Sequence, residues 1–93
     1  MDIAEFQDLM VRTYGGARPG AGVDATIAWL TEEFGELARA VRKGTREQQL
    51  HELGDVTAWL ASLAAQLDIS LEEAVQRYAH GCPRCGVVPC RCP

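Results

Sequence analysis

Glu32, Glu33 and Glu36 spell E-E-x-x-E, and Glu52 and Asp55 spell E-x-x-D after a gap of fifteen residues. Carboxylates three apart project from one helical face. Two such pairs on antiparallel neighbouring helices therefore set four oxygen-donor side chains around one point. Left unneutralised, that cluster repels itself and loses hydration, and a hard divalent cation relieves both costs. Mg²⁺ is the natural candidate, with Mn²⁺ as a substitute. Glu and Asp also decorate solvated helix faces, so the pairing of the two motifs carries the signal rather than either motif alone.

The second chemical cluster is Cys82, Cys85, Cys90 and Cys92, spaced C-x₂-C-x₄-C-x-C within the last twelve residues. In a reducing compartment this spacing reads as a metal site rather than a disulfide framework. Four thiolates complete a tetrahedral Zn²⁺ shell with no open position, so its role would be structural. A redox C-x-x-C pair is the rival reading, and no βαβ context surrounds it. The closing C-x-C predicts strain in a mononuclear site, with His80 as an alternative ligand.

These residues need helices to position them. Ile3, Phe6 and Met10 recur at helical spacing within residues 2–14, and Gly15-Gly16 stops that run. Residues 15–22, with Arg18-Pro19-Gly20, read as a loop that matches no phosphate-cradling glycine motif. A second helix is predicted from an Asp24 N-cap through Lys43 to Gly44, with Val23, Ile27, Leu30, Phe34, Leu37 and Val41 on one apolar arc. Glu33 falls at the edge of this arc. Thr45 and Gln48 form a capping box opening a third helix, whose arc carries Leu50, Leu53, Val56, Leu60, Leu63 and Leu67 with Glu52 at its edge. Ser70 and Glu73 form another capping box, which opens a short fourth helix through Tyr78 that ends near Gly81. The expected fold is all-α and four-helix bundle-like, with a helical domain over residues 1–81 and a zinc-knuckle-like tail over residues 82–93.

At the paired carboxylates the sequence resembles the MazG-like nucleoside triphosphate pyrophosphohydrolases, an all-α family marked by E-E-x-x-E followed by E-x-x-D. The resemblance implies hydrolysis of a nucleotide between its α and β phosphates, releasing pyrophosphate and a nucleoside monophosphate. It also implies that Glu33, Glu36, Glu52 and Asp55 hold Mg²⁺, with Glu32 beside them orienting the attacking water. A carboxylate not committed to metal can accept that water's proton, which makes Glu32 the catalytic candidate, although a spare metal ligand is the alternative. Many relatives carry N-x-x-K on the last helix. Here Ala74-Val75-Gln76-Arg77 stands in that place, and Arg77 is the candidate to contact substrate.

Trp29 and Trp59 project toward the carboxylate side of their helices, which permits base stacking, while packing in the core or at a dimer interface is the alternative. His51 falls on the polar side of the third helix. Arg39, Arg42, Lys43 and Arg46 cluster near one turn; a phosphate contact is one reading, and dipole complementarity with solvation accounts for them without it.

The chain has 93 residues, nine Lys plus Arg and thirteen Asp plus Glu, for a net charge of −4. That balance argues against nucleic-acid binding, which demands a basic surface. Of the 47% hydrophobic residues, thirteen are Ala and four Cys, so the core is thin and a homodimer or a metal is expected to supplement it. No signal peptide or membrane-length apolar run is legible, and the expected location is the cytoplasm. Beside the enzyme stands a second reading, a catalytically inactive, zinc-stabilised interaction module.

Overall fold

Two helices of equal length form the spine of the molecule. In the computed structural model, which describes residues 1–15 and 22–93, α2 (Val23–Lys43) and α3 (Arg46–Gln66) are joined by the two-residue link Gly44-Thr45 and pack against each other along their lengths. The link is built by the predicted capping box. Thr45 Oγ1 accepts from the Gln48 amide at 3.2 Å, and Gln48 Oε1 accepts from the Thr45 amide at 2.8 Å. Gly44 leaves no space for a side chain, since a Cβ there would sit 2.8 Å from the Ala40 backbone. Gln49 ties the arms together by donating to the Ala40 carbonyl at 3.2 Å.

α1 (Ile3–Tyr14) starts at an Asp2 cap and packs on α3. α4 (Leu71–Val75) packs on α1, and its Ser70 cap accepts from the Glu73 amide at 3.3 Å. The fourth helix is shorter than its sequence pattern predicts: it tightens into a 3₁₀ turn over Gln76–Tyr78. Asp24, expected as the cap of α2, lies inside its first turn, where its charge suits the helix dipole, and Gly22 takes the cap position. Residues 16–21 of the expected glycine-rich loop lie outside the described residues.

Gln7 locks α1 to the α3–α4 corner. Its Nε2 donates to the Ile69 carbonyl at 2.8 Å, and its Oε1 accepts from the Leu71 amide at 2.9 Å. One side-chain amide thus satisfies two backbone groups more than sixty residues away. Gln7→Ala strands both and is expected to cost about 1–3 kcal/mol. Thermal denaturation should show Tm falling by roughly 4–8 °C per kcal/mol for a domain of this size; an unchanged Tm would show that the clamp contributes nothing.

The fold is all-α, as expected, but its core differs from the two broad apolar arcs. Among the described residues, the buried ones of the spine are Thr26, Leu30 and Ala40 on α2 and Val56, Ala61 and Ala64 on α3. Ile27, Phe34 and Val41, and likewise Leu50, Leu53, Leu60 and Leu67, stay exposed. The arcs are wider than the narrow seam that two helices meeting through Ala and Thr can cover. On α2 the seam runs through Thr26, Leu30, Glu33, Leu37 and Ala40, alternating steps of four and three, so Glu33 occupies a place where a core side chain would sit. The radius of gyration, 15.5 Å, exceeds the value of about 12 Å usual for a compact domain of this length. Among the described residues, no helix is long and apolar enough to cross a membrane.

Candidate functional site

The hairpin brings the two carboxylate motifs face to face. Ligand oxygens of Glu33, Glu36 and Glu52 lie within 4.8 Å of one another, and Glu52 belongs as well to an equally close group with His51 and Asp55. Glu52 is the hinge between the groups. Oε2 of Glu33 and Oε2 of Glu52 are both buried and accept no hydrogen bond. A carboxylate oxygen cut off from both water and donors is costly, and a cation held between Glu33 and Glu52 removes that cost. The electrostatics agree: burial first, then the charges of Glu36, Asp55 and Glu52, push the Glu33 carboxyl above its usual range. A set of carboxylate oxygens fits a hard divalent ion.

Asp55 receives a further contact that the sequence reading did not assign. His51 Nε2 lies 3.2 Å from Asp55 Oδ2, one turn away on α3. The i, i+4 spacing is the signal that could have found it. Glu32 is exposed and supplies no ligand atom to either close group. It sits one turn before Glu36 on the outer flank of α2.

Two cavities border the carboxylates. One, of about 450 Å³, is lined by Asp55, Trp29, Trp59 and Thr26 from the spine and by Met10 and Tyr14 from α1. Trp29 and Trp59 stack with ring centroids 6.0 Å apart and planes 12° from parallel. Trp29 remains 52% exposed, so it walls the cavity instead of filling a core. The other cavity, of about 570 Å³, is lined by Glu36, Glu52, Arg39, Lys43 and Gln48. Arg77 lines neither cavity; its guanidinium lies 5.3 Å from the centroid of the Tyr78 ring.

The four thiols also converge. All four sulfurs lie within 4.8 Å of one another, with Cys82 and Cys92 at 3.7 Å and Cys85 and Cys90 at 3.9 Å. His80 is not part of this group. The strain expected of the C-x-C step does not keep either sulfur out, because the chain folds back on itself: Gly86 donates to the Cys82 carbonyl, and Cys82 donates to the Val87 carbonyl at 3.2 Å. Gly81 makes the turn possible at φ 109°, where a Cβ would lie 2.7 Å from the Val87 oxygen. The Arg91 amide donates to Cys85 Sγ at 3.4 Å, and with the Val87 amide it holds the Cys85 thiol down at about 6. The neighbouring sulfurs of Cys90 and Cys82 push Cys92 up to about 11. Such a cluster can bind a metal.

The profile described as "MazG nucleotide pyrophosphohydrolase domain" matches residues 21–84, which include both carboxylate motifs, and the chain belongs to this family. The match ends before Cys85, Cys90 and Cys92. A Bacillus subtilis (strain 168) protein described as "Uncharacterized protein YpjD" is 47% identical over 66 residues, covering 60% of this chain and 60% of that protein. The chain thus spans 60% of that relative's length, less than two thirds.

Proposed function

We propose that the protein is a Mg²⁺-dependent hydrolase that cleaves a nucleoside triphosphate between its α and β phosphates. The observation that carries this reading is the convergence of Glu33, Glu36 and Glu52 with two buried, unpartnered oxygens, beside an aromatic cavity that Asp55 helps to line. Glu33, Glu36, Glu52 and Asp55 are the residues that would hold Mg²⁺, or Mn²⁺ in its place. The ion supplies charge neutralisation for the phosphates and an electrophilic centre for the phosphoryl group.

The chain's own residues do the rest. Trp29 and Trp59 offer an aromatic wall to the base. Glu32, exposed and outside the two close groups, accepts the proton of the water that attacks the α phosphorus. The bond to the β-phosphate oxygen breaks, and pyrophosphate departs with the electron pair. His51 orients Asp55. Arg77 keeps a substrate role only if bound nucleotide reaches the 3₁₀ turn that follows α4.

Incubation with a panel of standard and damaged nucleotides and Mg²⁺ tests this. Release of pyrophosphate from at least one is expected. No release from any nucleotide with either Mg²⁺ or Mn²⁺ overturns the enzyme reading in favour of the zinc-stabilised interaction module.

The tail over residues 82–93 holds structural Zn²⁺ in this reading. A tetrahedral site with Zn–S bonds of about 2.3 Å spaces its sulfurs about 3.8 Å apart, and the two measured separations match that edge. One zinc per chain is expected from metal analysis of protein kept reduced; an absence of zinc removes the assignment. Thiols in this state suit the cytoplasm.

Assembly as a homodimer covers the exposed stripe of Ile27, Phe34 and Val41, which recur every seven residues on α2. Phe34 and Glu36, two residues apart, project about 160° from each other. A partner on that stripe leaves the carboxylates accessible. Light scattering should return the mass of two chains, and a monomer mass would exclude this.

A further inference from the structure

We infer that Arg39 and Lys43 form the subsite for the departing pyrophosphate and make the protein selective for ligands with two phosphates beyond the scissile bond. This rests on the proposed hydrolase activity and assigns a role to the second cavity.

Three observations support it. Arg39 and Lys43 line the same cavity as Glu36 and Glu52, two of the carboxylates that would hold the metal. Among the described residues, neither cation forms an ion pair, although Glu36 is only three residues from Arg39. Their charge is therefore available to an incoming anion. Dipole complementarity accounts for Arg42 and Lys43 in the last turn of α2, but not for Arg39, which lies before that turn and lines the cavity while Arg42 does not.

The third observation is order along the hairpin. Reading up α2, Trp29 comes first, then Glu33 and Glu36, then Arg39 and Lys43. Antiparallel α3 presents Trp59, Asp55, Glu52 and Gln48 in the same spatial sequence. At about 1.5 Å of rise per residue, Trp29 and Lys43 each lie roughly 10 Å along the axis from Glu36. Aromatic wall, metal carboxylates and cations thus follow one another as base, α-phosphate and β,γ-phosphates do in a nucleotide. Gln48 spends its Oε1 on the Thr45 amide and keeps its side-chain nitrogen as a further donor.

Charge decides when the subsite works. Glu36 and Glu52 cancel Arg39 and Lys43, so the cavity repays an anion only once a divalent ion has neutralised the carboxylates. Pyrophosphate should therefore bind in Mg²⁺ and not in chelator. A diphosphate nucleotide leaves a single phosphate beyond the scissile bond and engages the two cations less well than a triphosphate.

Calorimetric titration of the full chain with inorganic pyrophosphate in Mg²⁺ tests this without turnover. The Arg39→Gln/Lys43→Gln double variant should bind pyrophosphate roughly 10- to 100-fold more weakly, as expected for the loss of charge-assisted hydrogen bonds. Its affinity for a nucleoside monophosphate and its Mg²⁺-induced rise in Tm should be unchanged, which excludes misfolding or loss of the metal. Arg39→Lys should retain most of the pyrophosphate affinity. In kinetics, the double variant should lose the preference for triphosphate over diphosphate. Unaltered pyrophosphate affinity in the double variant, or no binding by the wild type in Mg²⁺, overturns the subsite. Wild-type protein that binds pyrophosphate through these residues but hydrolyses no nucleotide overturns the hydrolase reading instead, so the two failures are distinct.

Discussion

Glu52→Gln is expected to lower pyrophosphate release by about 10³-fold or more, equivalent to about 4 kcal/mol of lost transition-state stabilisation. Glu52 is chosen because it is the only carboxylate common to both close groups, joining Glu33 and Glu36 to Asp55 and His51. The substitution keeps the shape and removes the charge. It leaves Glu33 and Glu36 able to gather on one side but cuts their link to Asp55. Asp55→Asn should act in the same direction, whereas Glu32→Gln should depress turnover while leaving Mg²⁺ affinity intact, since Glu32 supplies no atom to the convergent groups. Steady-state assay with a metal titration separates these outcomes. A Glu52→Gln enzyme that turns over at the wild-type rate would place the metal elsewhere.

Glu33→Gln is expected to have opposite effects with and without metal. Burial and neighbouring carboxylates raise the folded-state value of Glu33 above its ordinary 4.5. A raised carboxyl binds its proton more tightly folded than unfolded, so stability falls as pH rises from the ordinary value through the raised one, and the penalty is complete above it. At neutral pH in chelator, the variant removes that penalty and should melt above the wild type. Added Mg²⁺ reverses the order. For the wild type, an ion present at a hundred times its dissociation constant adds about 2.7 kcal/mol, or roughly 10–20 °C in Tm for a domain of this size. The variant should gain much less. Thermal melts at neutral pH in chelator and in Mg²⁺ check both arms; a variant less stable than wild type in chelator would show that the Glu33 carboxylate is not strained by its neighbours.

Local signals in the sequence proved the most legible. The Thr45–Gln48 box and the Ser70 cap are decided within three residues, and both are formed. The meeting of Glu33, Glu36 and Glu52 was also readable, because a short link between two long amphipathic helices leaves them little choice but to lie antiparallel. Core membership was not. Periodicity identifies an apolar face but not the width its partner can cover, so Ile27, Phe34 and Leu60 read as core and stand exposed, while Ala40, Ala61 and Ala64 do the close packing without standing out. Edge positions were misjudged for the same reason: Glu33 lies in the seam itself. The clustering of Arg39 and Lys43 near one turn was legible, but their sharing a cavity with Glu36, Gln48 and Glu52 depends on how the two helices meet, which spacing along either helix alone does not reveal. The cysteine spacing marked out four thiols that converge, but not how the C-x-C step is accommodated, since the bond that folds the tail back, from the Cys82 amide to the Val87 carbonyl, leaves no mark in the spacing of the thiols.

The two-residue link turns the gap between the acidic motifs into a measured length. Seven helical steps climb from Glu36 to Lys43, and six descend from Arg46 to Glu52, so the two side chains return to nearly the same height. A single residue added within either arm rotates everything beyond it by about 100° and carries one motif out of view of the other. Two added turns, one on each arm and about seven residues in all, restore both height and facing. Viable length changes between E-E-x-x-E and E-x-x-D should therefore come in paired helical turns, and a hairpin of this kind can grow or shrink at its tip over evolutionary time without disturbing the chemistry at its middle.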